Sequence, residues 1–156
     1  MVIVLDLQQE NEALKQKLAS YKQLISSMSA PVIESILQDV LLVPLTGVLT
    51  LERIDNIDQA IFDYISKTKE AQCIIIDFTG IVIDDFAYID TQTFITRFEK
   101  LIQTLALMGV RVIHTGMSPT VVRYFYTNGF VANHDAFSSF RTAIQQLAKE
   151  GYKPTT

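Results

Sequence analysis

Residues 73–83, CIIIDFTGIVI, form an almost unbroken apolar run, interrupted only by Asp77 and the pair Thr79–Gly80. Cys73 to Phe78 reads by composition as a buried strand. On either side the spacing turns helical. Thr50 is a candidate cap for a helix carrying Ile54, Ile57, Ile61, Tyr64 and Ile65 on one face, with charged residues opposite. From about Asp85 to Met108 a long helix is expected, with Phe94, Phe98, Leu101, Ile102 and Leu105 at core spacing and Gly109 ending it. Val110 to His114 gives the next strand. Ser118 then caps a short helix with Pro119 at its first position, running to Asn128–Gly129. Ser138 or Ser139 opens a last helix ending near Gly151.

Upstream, Ile33–Leu37 and Val40–Leu45 read as two short strands joined at Gln38–Asp39, close enough to pair as an antiparallel hairpin. Pro44 marks an edge position or a bulge, since it cannot donate to a ladder. After the hairpin the order is β-α-β-α-β-α-α with short connections. Such alternation demands parallel strands with right-handed crossovers. The fold class is α/β: a small, mostly parallel mixed sheet with an N-terminal antiparallel hairpin and about four helices.

Before Pro31 lies a different segment. Residues 4–28 contain neither Gly nor Pro and follow a heptad, with Val4, Asn11, Leu18 and Ile25 at a and Leu7, Leu14, Tyr21 and Met28 at d. Asn11 breaks the apolar seam with the residue type that fixes register and favours parallel dimers. Glu10 at g can reach Lys15 at e of a partner helix, while Lys17 and Lys22 repel. Three and a half heptads are marginal alone, so the helix reads as the end of a longer coil or as a dimer supported by the domain. The apolar Met1–Leu5 segment fits either case. Residues 1–28 are thus expected as a dimerisation or linker helix, and 29–156 as one compact domain.

Composition removes several function classes. A formal charge of −4 over 156 residues, with scattered basic side chains, gives no footprint for nucleic acid. No apolar stretch approaches the roughly 18 residues a membrane span needs. The start lacks a basic leader and a small-residue cleavage site and does not read as a signal peptide, while one cysteine excludes a disulfide framework, so a reducing cytoplasm is the expected compartment. The single cysteine, Cys73, sits within an apolar strand and reads as a buried, inert thiol. Only two histidines occur, His114 at a strand end and His134 in a loop, with no G-x-S-x-G elbow, metal-ligand spacing or phosphate loop. Neither an enzyme nor a metal or other cofactor is expected. The remaining chemical signal is acidic. Asp84 and Asp85 stand where the long helix is expected to begin, where the dipole favours negative charge. Asp77, after Ile74–Ile76, lacks the companion carboxylates and the lysine that a phosphoryl-accepting aspartate requires.

Three stretches, SAPVIESILQDVLLVPLTGVLT, IIIDFTGIVIDD and LALMGVRVIHTGMSPTVVRYFYTNGF, together resemble the STAS domain, and within it the RsbR-type stressosome proteins related to bacterial anti-sigma factor antagonists. The resemblance spans about Ser29 to Leu147. It implies a non-enzymatic module that assembles with related STAS proteins and holds or releases a switch serine/threonine kinase controlling an alternative sigma factor stress response. It also implies a dimerising N-terminal helix that carries a signal from a sensory region. The usual phosphoacceptor, a Ser or Thr directly after an Asp at the start of the long helix, falls on Phe86, after Asp85. A second acceptor, in the helix after the G-x-x-P turn, falls on Tyr124. Neither is Ser or Thr, and Thr79, Thr91 and Thr93 are only neighbours. Thr79, Gly80, Asp84, Asp85, Phe86 and Tyr124 are therefore the expected partner surface, with the paired carboxylates standing in for a permanent phosphate. The alternative is a STAS-like module that binds a nucleotide or lipid at the strand ends near Thr46, Thr79 and Thr115.

Overall fold

The chain runs α1 (Val2–Ser27), β1 (Ile33–Glu34), β2 (Val40–Thr46), α2 (Leu51–Thr68), β3 (Cys73–Gly80), a 3-10 turn (Ile83–Phe86), α3 (Thr91–Leu107), β4 (Arg111–Thr115), α4 (Pro119–Thr127), β5 (Asp135–Phe137) and α5 (Phe140–Lys149). This is a computed structural model, describing residues 1–27, 30–68, 70–130 and 135–156. Met28 of the heptad and His134 lie outside the described residues.

Alternation along β3 sets the layers. Ile74, Ile76 and Phe78 join one apolar cluster with Leu41, Val43, Val112 and side chains of α2, α3 and α4. Cys73 and Ile75 face the other way, with Val40 and Ile113, onto Ala143, Ile144 and Leu147 of α5. Because successive strand residues point to opposite faces, this run must be covered on both. Strand order is β1-β2-β3-β4-β5, with β1 antiparallel to β2 and the rest parallel.

β5 is an addition to the expected sheet. Three residues carry too little pattern to read as a strand. Its place comes from pairing beside β4 (Ile113 with Asp135, Thr115 with Phe137), and from Arg111, which donates to Asp135 at 2.6 Å and Glu150 at 2.7 Å. β1 is shorter than the expected Ile33–Leu37, because Ser35–Asp39 form the connection and Asp39 takes φ 62°. The segment is instead tied to the C-terminus: Gln38 N–H donates to Lys153 O at 2.7 Å and Thr155 N–H to Ile36 O at 2.8 Å. Pro44 meets both of its expectations. It lies beyond the short β1 partner, and the β2–β3 register slips by one residue between Pro44 and Thr46.

Helix starts follow their caps. Thr50 Oγ1 accepts from Arg53 N–H at 3.1 Å, Ser118 Oγ from Val121 N–H at 3.2 Å and Ser139 Oγ from Thr142 N–H at 3.1 Å.

Candidate functional site

The segment after β3 departs from the expected continuous helix. Ile83–Phe86 form one 3-10 turn, and α3 begins only at Thr91, with Asp90 as its N-cap accepting from Thr93 N–H at 3.0 Å. Phe86 decides this. Its ring meets Phe94 at 5.1 Å. Eight residues apart on one helix they would be separated by about 12 Å along the axis. Burying both rings together requires the chain to turn back, and residues 87–90 make that turn.

The two adjacent carboxylates consequently have different surroundings. Asp85 is buried, and its carboxylate accepts from Val82 N–H at 2.8 Å while its carbonyl accepts from Leu49 N–H at 2.9 Å. Near it is buried Arg53, which donates to Val48 O at 2.8 Å. Burial holds the Arg53 pKa below its usual value, and the Asp85 charge offsets that only in part. Asp84 is exposed. A two-carboxylate mimic of phosphate is therefore not what the surface presents: one of the charges is turned inward to brace the turn. A single exposed carboxylate carries −1, against about −1.5 to −2 for a phosphate group.

The two positions where the resemblance expects hydroxyl acceptors come together in space. Phe86 and Tyr124 lie with ring centroids 6.0 Å apart, and Phe86 also packs edge-on against Phe125 at 5.3 Å. Phe86 is 3% exposed. Tyr124 is half-buried, its hydroxyl bonded to that of Thr91, which is itself buried. Among the neighbouring threonines, Thr79 and Thr93 are exposed. Thr93 donates to Asp90 at 3.0 Å.

Thr79 and Gly80 serve other contacts. Asp77 Oδ1 accepts from Thr79 at 3.0 Å and from Thr115 at 2.6 Å. Gly116 closes over them at φ +74°, where a Cβ would stand 2.2 Å from Thr79 Oγ1. Only glycine combines that backbone with that approach. Gly80 sits at the register slip, where a Cβ would fall 2.6 Å from Thr46 Cγ2. Thr115 is fully buried. The strand ends named for a small ligand are thus braced by their own side chains. Sequence reasoning did not single out Asp90, Gly116 or Thr115 as partners in this architecture. The D-x-x-T spacing from Asp90 to Thr93 was the available signal for the first.

The other sequence candidates are placed as follows. Cys73 is fully buried, and burial pushes its thiol up to about 12. His114 is buried among the rings of Phe98 and Phe130, each 6.3 Å away. Leu7, Leu14, Leu18, Tyr21 and Ile25 of α1 are all exposed, as is Asn11. A cleft of about 730 Å³, lined by Glu34, Asp39, Tyr64, Glu70, Gln72 and Thr155 among others, lies at the opposite, N-terminal end of the parallel strands. Among the described residues, no helix is long and apolar enough to cross a membrane, and no group of three or more His, Cys, Asp or Glu is arranged to hold a metal.

Sheet order, two-sided cover and the 3-10 turn leading into α3 define a small α/β module with an appended N-terminal helix. The sequence model of the STAS domain matches residues 27–143, and the chain belongs to the STAS-domain family. No curated protein matches it by sequence. Solved structures with the same fold include RsbS of Moorella thermoacetica, in a serine-to-glutamate variant, 13% identical, with TM-score 0.63, covering 78% of this chain and 96% of that one. A chain from the molecular architecture of the stressosome, described as a signal integration and transduction hub, is 12% identical with TM-score 0.59, covering 77% and 97%. The Bacillus cell fate determinant SpoIIAA in its phosphorylated form is 18% identical with TM-score 0.54, covering 76% and 98%.

Proposed function

We propose that this chain is a regulatory STAS module of the RsbR-like stressosome type. It works through protein–protein contacts in the cytoplasm, without catalysis. Its partners are related STAS proteins and a switch serine/threonine kinase, through which it acts on an alternative sigma factor stress response. A second copy joins through residues 1–28, and residues 29–156 form the regulatory domain. The observation that carries this reading is the junction of the 3-10 turn with α4. There, Phe86 and Tyr124 pack together as aromatic rings and Asp84 stands exposed at the rim. The likeness to stressosome and antagonist structures supports the class of partner.

The same junction distinguishes this member. With a buried phenyl ring at one expected acceptor and a half-buried tyrosine at the other, the surface is constitutive rather than switched at those positions by serine/threonine phosphorylation. Ligand binding at the strand ends is the weaker reading, because Thr79 and Thr115 already donate to Asp77.

The test is affinity purification of the tagged full chain from its own host, with bound proteins identified by mass spectrometry. STAS-domain proteins and a serine/threonine kinase are expected, with recovery reduced about tenfold by Asp84→Lys through reversed rim charge. Recovery of neither class would sink the scaffold reading. Incubation with the recovered kinase and ATP should leave the intact mass unchanged, and stoichiometric phosphate within residues 79–93 overturns the constitutive reading.

A further inference from the structure

Helices α2 and α3 face each other across a groove whose two walls carry opposite charge. On α2, Asp55 and Asp58 stand one turn apart, and on α3 Arg97 and Lys100 do the same. The groove holds about 540 Å³, within the range of small-molecule sites, and Phe62 and Leu101 give it an apolar lining. Beneath it lies a void of about 30 Å³, lined largely by Leu45, Leu49, Ile57, Ile76 and Phe98. A void so apolar stays dry, and an alkyl group entering it gains contacts that water does not take up. Asp58, Arg97 and Leu101 line both spaces, so the ion pair between Asp58 and Arg97, 3.0 Å long, stands as a partition between groove and void.

Both walls keep binding capacity beyond that partition. Arg97 engages only Nη2, which donates to Asp55 at 2.6 Å and to Asp58 at 3.0 Å. Among the described residues its Nε and Nη1 make no hydrogen bond, and Lys100 makes no ion pair. Each aspartate in turn engages one carboxylate oxygen with Arg97 and keeps the other. Burial raises the Asp58 pKa above the usual carboxylate value, against the pull of Arg97, so this end of the groove is poorly hydrated. Charge balance then selects the ligand. A simple anion would gain Lys100 and Arg97 but face two aspartates, and a simple cation would meet the reverse. A small molecule carrying both charges complements both walls at once. We propose that the groove binds a zwitterionic amino acid with a short aliphatic side chain. Its ammonium donates to Asp55, its carboxylate accepts from Lys100 and Arg97, and its side chain enters the void past Leu101. The size of the void limits that side chain to a few carbons. This inference goes beyond the scaffold reading and does not depend on it, since it concerns the groove between α2 and α3 rather than the turn and α4.

Isothermal titration of the full chain with L-valine at neutral pH tests this. Saturable binding is expected, about tenfold tighter than that of glycine, because each methylene buried in the void is worth about fourfold in affinity. L-Phenylalanine should bind no better than glycine, since its ring exceeds the void. Isobutyrate and isobutylamine each lack one charge and should bind about tenfold more weakly than valine. Asp55 and Lys100 are exposed. Asp55→Asn and Lys100→Gln should therefore each weaken valine binding about tenfold while moving the thermal midpoint by no more than about 2 °C. Absence of saturation by valine at about 10 mM overturns the proposal. Glycine or phenylalanine binding as tightly as valine overturns the role of the void, and isobutyrate or isobutylamine doing so overturns the zwitterion. Valine binding that is unchanged in both variants overturns the site itself.

Discussion

Asp84 and Asp85 are chain neighbours with opposite tasks. The Asp85 carboxylate holds the Val82 N–H inside the turn and lies near the buried Arg53 charge, whereas Asp84 faces solvent. Asp85→Ala removes the acceptor of a part-buried N–H and should cost about 1–3 kcal/mol. Asp84→Ala should stay within about 0.5 kcal/mol. Urea midpoints at unchanged slope distinguish them, and equal losses would falsify the inward role given to Asp85. The sequence alone presented the pair as two equivalent carboxylates. Nothing in the letters DD tells which side chain turns in, because that depends on Phe86 one residue later being drawn into the core.

Phe86 is also where three elements meet. It touches Phe94 of α3 and both Tyr124 and Phe125 of α4, which fixes the 3-10 turn against two helices. Installing the hydroxyl that the family pattern expects, by Phe86→Ser, deletes a buried ring and should cost about 3–5 kcal/mol. A calorimetric or chemical unfolding series reads this directly. A loss below about 1 kcal/mol would mean that the junction tolerates a switchable residue after all. The long helix was legible from its apolar spacing, yet it starts at Thr91 rather than near Asp85. Asp85 and Asp90 are both acceptable caps by residue type, and only the contact between Phe86 and Phe94 excludes the earlier one.

For the molecule as a whole, the exposed side chains of α1 predict that it adds little to the stability of the domain it precedes. A chain starting at Ala30 should unfold cooperatively, with a midpoint within about 3 °C of the full chain at concentrations too low for pairing. A much larger drop would make α1 part of the domain. The α/β class, the N-terminal helix, the caps at Thr50, Ser118 and Ser139, and the buried strand Cys73–Phe78 were all readable from residues in order, because caps and periodicity are local. The three-residue β5, the hold of the C-terminal residues on the β1–β2 connection, the inward turn of Asp85 and the meeting of Phe86 with Tyr124 were decided only by tertiary structure. Each depends on partners distant in the chain, and burial, not local propensity, selects among conformations that the local sequence permits equally.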